Sequence, residues 1–253
     1  MNWYADQERE HGSQRRACLA NGIPRTTWQE RKAKVEATLP KWVVGFLPDC
    51  HFPYHDARVL DTFVNFILQR YRLTHLVWGG DTYDFHHISR YVKRLISTFT
   101  DEVTKAKEYH RFFSEALAPS QREVFILGNH EERLIKLVQD RAPELEEMFP
   151  GVAEVLELER HGIEYVDNKA LLQDGGEPFS LGNQYYLHGH EFAGAGKMVA
   201  KTKSEKIHRN IMFGHHHVSQ AVIDRDLNKM RGSWSVGCSC PFAPSYNPSA
   251  KHN

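Results

Sequence analysis

Hydrophobic positions change period along the chain, and the changes mark the elements. Residues 41–47 hold Trp42, Val43, Val44, Phe46 and Leu47 in a short apolar, β-branched run that reads as a buried strand. Residues 57–71 space Val59, Leu60, Phe63, Phe66 and Ile67 at a helical interval. A second strand is expected over 74–78, ending in Gly79-Gly80-Asp81, then one long helix or two over 88–117. A third strand, 122–127, ends in Gly128-Asn129-His130. Helices over 132–139 and 143–157 follow. The second is acidic, with Glu144, Glu146, Glu147 and Glu154, and reads as a solvated face or a small cap.

Beyond residue 160 the pattern becomes strand-rich. Short strands are expected over 163–166, 170–173, 178–181 and 184–187, with turns at Asp174-Gly175-Gly176 and Gly182-Asn183. A helix over 197–209 precedes further strands over 210–213, 218–224 and 230–236, and the Pro- and Ser-rich end, 238–253, reads as an ordered wrap that frays. A βαβαβ half followed by a strand-rich half predicts an α/β fold, a two-sheet sandwich flanked by helices. The expected domains are a helical N-terminal arm over 1–40 and one larger domain over 41–253. The arm is polar and charged. Asn21-Gly22 stops one helix, Pro24 suits a first turn, and Thr26-Thr27-Trp28 opens a second that Pro40 ends. Residues 22–31 resemble the turn and second helix of a helix-turn-helix, which would aim Arg25, Thr26, Gln29 and Lys32 at a major groove. The other reading is a helical arm packed on the main domain.

Composition narrows the class. A chain of 253 residues, 41% hydrophobic, can bury a sizeable core. Lys+Arg 32 against Asp+Glu 32 leaves no net charge, so a polyanionic partner would need a local patch. Cys18, Cys50, Cys238 and Cys240 lack zinc-ribbon spacing and fit a reduced compartment. Neither a signal core nor a bilayer-length apolar run is visible, so a soluble cytoplasmic protein without a membrane partner is expected.

The 16 His change the picture, because several fall at predicted strand ends. Asp49-Cys50-His51, Gly80-Asp81-Thr82-Tyr83-Asp84, Gly128-Asn129-His130-Glu131, His188-Gly189-His190 and Gly214-His215-His216-His217 each follow an apolar strand. Ligand sites of open α/β sheets lie beyond the carboxyl ends of strands, and glycine lets the backbone turn beside an ion. If the first exit stays extended, Asp49 and His51 point to the same side. One such stretch is ordinary; five together are hard to obtain by chance. Counting donors gives two ions. Asp49, His51, Asp81 and one His of the last stretch hold one; Asp81, Asn129, His188 and another His hold the second. Asp81, with two oxygens, is the natural bridge. Carboxylate, amide oxygen and imidazole without thiolate suit Mn, Fe, Zn or Co. Two such ions about 3.5–4 Å apart polarise a phosphoryl oxygen and acidify a bridging water, which becomes the nucleophile.

As a set these stretches resemble the calcineurin-like metallophosphoesterase superfamily, whose pattern is D-x-H, GDxxD, GNH[DE], H and GHxH in that order. The resemblance covers residues 41–240, and every block is intact. It implies that Asp49, His51 and His217 hold the first ion, that Asn129, His188 and His215 hold the second, and that Asp81 bridges. It also implies that His130 sits over the phosphate and protonates the leaving oxygen, with Asp84 orienting its ring. His190 could replace His188 as ligand. His216 should point away by alternation, and Cys50 into the core. His86 and His87 could touch substrate or lie at the surface.

The superfamily acts on phosphoproteins, nucleotides and nucleic acids, so the fold does not choose the ester. Phe85 follows Asp84 where protein phosphatases of the family carry Arg-Gly, which disfavours a phosphoprotein. The arm and a basic helix with Lys197, Lys201, Lys203, Lys206 and Arg209 favour nucleic acid, although an ordinary solvated face explains that helix equally. The leading expectation is a nuclease or phosphodiesterase. The rivals are a phosphomonoesterase for nucleotides or phosphoproteins, and a DNA-binding adaptor that uses the fold as scaffold.

Overall fold

The structure is a computed structural model that describes residues 2–38, 41–89, 98–117, 121–192, 197–225 and 229–242. The chain divides into two units, Met1–Lys41 and Trp42–Asn253. The first contains helices α1 (Trp3–Glu10), α2 (Gln14–Ala20) and α3 (Arg25–Thr38). Asn2 and Ser13 cap α1 and α2 by accepting backbone N–H bonds from Ala5 and Arg16, each at 3.3 Å. Ala17, Cys18 and Trp28 form the core, with Tyr4 and Ile23 against it. The sequence suggested two helices here; the early turn at 11–13 makes three. Trp28 Nε1–H donates to Glu8 at 2.9 Å, and the same carboxylate pairs with Lys32 at 2.7 Å. Lys32 is thus drawn back onto the unit's own α1, whereas Arg25, Thr26 and Gln29 are exposed.

In the second unit, β1 (Val44–Leu47), β2 (His75–Trp78), β3 (Arg122–Ile126) and β4 (Ile163–Val166) pair in parallel in that order. Helix α4 (Ala57–Thr62) runs through a π-turn (Phe63–Ile67) into α5 (Leu68–Arg70) after β1. Helix α6 (Phe99–Ala116), started by a Thr98–Asp101 capping box, precedes β3. After β3 come α7 (Glu132–Arg141) and α8 (Val152–Val155), and after β4 comes α9 (Asn168–Gln173). The second sheet has the order β5-β6-β7-β9-β8: β5 (Ser180–Leu181), β6 (Gln184–Leu187), β7 (Asn210–Phe213), β8 (Ser219–Arg225) and β9 (Met230–Val236). Here β6, β7 and β9 run parallel and the edges antiparallel, with α10 (Val199–Ile207) between β6 and β7.

Strand alternation separates the core into layers. Leu76, Trp78 and Phe125 join the helical residues Phe63, Phe113 and Leu134. Their neighbours Val77, Val124 and Ile126 share a cluster with Tyr186 of β6, and Phe46, Leu181 and Met212 pack against it. Leu187, Ile211 and Phe213 face Val199 and Ala200 of α10. The second unit is therefore an α/β structure with a parallel four-stranded sheet, a mixed five-stranded sheet and helices.

Three expected elements differ. Residues 170–173 are helical, not a strand, because Asp167 caps α9 by accepting from Lys169 N and Ala170 N, both at 2.9 Å. The expected helix over 143–157 breaks into a 3-10 turn (Pro143–Met148) and the short α8, with Gly151 at φ 91 between them. Helix α10 is shorter than expected, since His208 turns left-handed at φ 54. Most of the expected terminal wrap, 243–253, lies outside the described residues.

Candidate metal centre

The strand ends converge through tight backbone joints. Asp49 N donates to Gly80 O at 3.0 Å and His51 N to Asp81 O at 2.9 Å, which laces the exit of β1 to that of β2. Asp49, His51, Asp81, His215 and His217 have φ of 52°, 51°, 47°, 66° and 54°. The first exit is therefore not extended: left-handed residues, each costing about 1–2 kcal/mol, turn the donors inward. Glycine is needed where these loops touch. A Cβ on Gly128 would stand 2.1 Å from Asp81 N, and one on Gly214 would stand 2.2 Å from Asp49 Oδ2.

The donors meet in pairs. His217 Nε2 lies 3.2 Å from Asp49 Oδ1 and 3.3 Å from His51 Nε2. The other nitrogen of His51, Nδ1, lies 3.0 Å from Asp84 Oδ1, so Nδ1–H donates to that carboxylate and the Nε2 lone pair faces the cluster. His188 is set in the same way. Its Nδ1–H donates to Gly79 O at 2.9 Å, and its Nε2 lies 3.2 Å from Asp81 Oδ2 and 3.0 Å from Asn129 Oδ1. His215 N donates to Asp49 Oδ2 at 2.8 Å. Among the described residues, three groups have donor atoms near enough to hold an ion: His51, Asp81 and His130; Asp81, His188 and His215; and His51, His217 and Cys240.

All seven predicted ligand residues thus lie in one cluster, with Asp81 in two of its groups. His190 turns its Nε2 to Glu132 at 2.9 Å, leaving His188 among the donors. His216 has its ring centroid 6.1 Å from that of Phe213 and belongs to none of the groups. Cys50 is fully buried in the apolar cluster. Cys240, which the sequence reading left out of the donor set, meets the far side of His217, with Sγ 4.0 Å from Nδ1.

Electrostatics show what the cluster demands. Burial works to lower His188 and His217, yet the carboxylates of Asp81 and Asp49 outweigh it and push both up to about 10. Burial works to raise Asp81, yet His130 and His188 hold it well below the usual carboxylate range. These carboxylates require positive charge beside them. Protons supply it on His188 and His217, and a divalent cation would release them. His215, pushed down to about 3 chiefly by burial, is neutral and has a lone pair to give.

Asp84 serves two rings with one oxygen. Its Oδ1 lies 3.0 Å from His51 Nδ1 and 3.0 Å from His130 Nδ1. His130 also hydrogen-bonds through Nδ1–H to Asp84 O at 2.8 Å, and its backbone N donates to Asp81 Oδ1 at 2.8 Å. Its Nε2 is thereby turned toward the cluster, 3.7 Å from Asp81 Oδ2. There Arg133 Nη2 donates to it at 2.7 Å, while Arg133 Nη1 donates to Asp84 O at 2.8 Å. Burial lowers His130, but Asp81 and Asp84 outweigh burial and Arg133, so its pKa is raised.

Sequence reasoning gave no role to Arg133 or to Glu131. Glu131 is a buried staple: Oε2 accepts from Gly128 N at 3.0 Å and Asp81 N at 3.1 Å, and Oε1 from Tyr83 N at 2.8 Å. An acid directly after Asn129 and His130, a predicted ligand and a predicted proton donor, was the signal available for it.

The expected substrate residues are scattered. His86 Nδ1 stands 3.9 Å behind Asp84 Oδ2, and His87 Nδ1 lies 3.1 Å from the buried Glu102. Lys197 is exposed; its carbonyl accepts from Gln220 at 2.5 Å, and no described contact joins it to the cluster. The basic stretch 197–209 does not present a uniform cationic face. Lys201 lies 3.8 Å from Glu205, Arg209 lies 3.7 Å from Glu177, and Lys203 is turned inside.

Lys203 donates to the carbonyls of Gly189 and Phe192, and burial pushes its pKa down to about 8. It clamps the loop whose amides at His188 and Gly189 donate to Glu191 at 2.9 and 2.6 Å. Lys203→Met leaves two carbonyls without their donor. The expected cost is about 1–3 kcal/mol in a denaturant melt, with Mn affinity roughly tenfold weaker by calorimetry. A variant with unchanged stability and affinity would show the clamp to be idle.

No protein-family model matches the chain, and no curated protein matches it in sequence.

Proposed function

We propose that this chain is a dinuclear-metal-dependent phosphoesterase of the calcineurin-like type, acting in the cytoplasm as a phosphodiesterase or nuclease. The observation that carries the reading is Asp81, whose carboxylate is shared between two donor groups. The apolar layer common to both sheets supports the helix-flanked sandwich of that family. Asp49, His51 and His217 would hold one cation, Asn129, His188 and His215 the other, with Asp81 between them. The oxygen and imidazole donors suit Mn, and also Fe, Zn or Co. When bound, such cations supply Lewis acidity toward a phosphoryl oxygen and acidify a water to near neutral pH.

The chain's own residues do the rest. Asp84 keeps the His51 lone pair turned inward and anchors the His130 ring by Nδ1, so that Nε2 is the atom of His130 that would carry a proton to a leaving oxygen once the Arg133 N–H it accepts has turned to the phosphate. Asp84 itself stays ionised: burial works to raise it, but its bonds to His130 and His51 hold it far below the usual carboxylate range.

Three observations favour nucleic acid over a phosphoprotein. Phe85 is fully buried, so position 85 offers no guanidinium, and the one at Asp84 comes from Arg133 of α7. Turn 21–24 joins α2 to α3 in the manner of a helix-turn-helix, and Arg15, Arg16, Arg25, Thr26 and Gln29 are exposed on those helices. Metal-dependent turnover of bis-p-nitrophenyl phosphate against p-nitrophenyl phosphate with Mn tests the proposal. Preference for the diester is expected. Preference for the monoester would remove the nuclease reading, and no turnover, with Asp81→Asn equally inert, would favour the DNA-binding adaptor.

A further inference from the structure

We propose that the edge made by α7 and α9 grips a phosphodiester chain, with Arg133 on the phosphate under attack and Lys136 with Lys169 on the next phosphate toward the leaving group. This deepens the phosphoesterase reading and rests on it.

Arg133 is the inner end of the track. Its guanidinium is fixed by Asp84 O and by His130 Nε2, at 2.8 and 2.7 Å. Among the described residues no carboxylate pairs with it, although the cluster behind it is rich in acids. A guanidinium has five N–H donors in a rigid fork, and two are used here. The side chain is half-buried and held at His130 Nε2, the atom to which the proposed function gives the leaving oxygen's proton. A fixed, uncompensated guanidinium in that place matches a non-bridging phosphate oxygen, since planar forks recognise phosphate in two-point contacts.

Lys136 continues the track. It lies three residues after Arg133 on α7, and such positions stand about 5–6 Å apart at Cβ on one face. Lys136 and Lys169, the latter from α9, both reach Glu132, Lys169 Nζ at 3.2 Å from Oε1. One carboxylate cannot neutralise two ammonium groups. The pair keeps a surplus positive charge, with side chains 49% and 44% exposed. Glu132 is also bonded to His190, whose ring centroid is 5.2 Å from that of His188. The surplus charge therefore lies next to the metal donors, on a separate element from α10, where Lys201 and Arg209 face acids. A substrate with one phosphate uses only Arg133. A substrate whose leaving group carries another phosphate uses the whole edge, so the arrangement selects an oligonucleotide over a simple diester.

The test compares the Mn-loaded full chain on a thymidine trinucleotide and on bis-p-nitrophenyl phosphate, and reads the ratio of the two kcat/KM values. In Lys136→Glu/Lys169→Glu that ratio should fall by at least about tenfold, and the salt slope of log KM for the trinucleotide should shrink by about 0.7 per phosphate contact removed. Lys136→Arg/Lys169→Arg should keep the ratio, which separates charge from packing around Glu132. Turnover of both substrates with a ratio unmoved by charge reversal overturns this inference alone. Turnover of neither substrate by the unaltered chain overturns the phosphoesterase reading, and this inference with it.

Discussion

Asp81→Asn should cost at least about a thousandfold in turnover and remove bound metal, while the chain stays folded. The substitution keeps shape and changes one oxygen to an amide. Asp81 Oδ1 accepts the His130 backbone N–H at 2.8 Å, and an amide oxygen can still do so. The NH2 group must then take the place of Oδ2, 3.2 Å from His188 Nε2. A donor now stands where both donor groups need a shared acceptor, and the charge that raises His188 and His130 is gone. Metal content by mass spectrometry should fall below two ions per chain, with an unchanged circular dichroism spectrum. Two ions and an undiminished rate in this variant would remove Asp81 from the bridging role.

His130→Ala should leave the metals in place and lower the rate about 10²–10⁴-fold. The backbone N of residue 130, not its ring, bonds Asp81, and alanine retains it. The loss should be smaller with p-nitrophenolate, a leaving group that needs little protonation, than with a nucleotide. The pH profile gives a separate readout. Asp84 and Asp81 raise the His130 pKa, so its acid form persists above the ordinary imidazole value. Activity that depends on this acid is present below the raised pKa and falls as pH increases through it. Cations on Asp81 remove part of the raising, while Asp84 retains its share. His130→Ala should lack this alkaline limb. A metal-free variant would instead make His130 a ligand, a role its proximity to His51 and Asp81 leaves open to measurement.

Strands of both sheets were legible because alternation and apolar runs are local signals, and 163–166 in the first sheet and 210–213 in the second were found as expected. Residues 170–173 were misread for a related reason. Ala170-Leu171-Leu172-Gln173 is too short to separate period 2 from period 3.6, and the Asp167 cap decided it. The donors were legible as residue types after strands, but their convergence was derived from an extended exit that the chain does not have. Left-handed turns at Asp49 and His51 achieve it instead, and their strain is supported by hydrogen bonds to β2's exit.

Taken alone, the order of residues determined the α/β pattern and the segments that end in acids, amides and imidazoles. Tertiary structure decided which nitrogen of each imidazole faces inward, that Lys203 belongs to the core rather than to a basic face, and that Glu131 and Arg133 matter at all. Periodicity is written in neighbours a few positions apart. A contact such as that of His215 with Asp49 spans 166 residues, and its geometry exists only once the carboxyl ends of β1 and β7, strands of two different sheets, have been brought together.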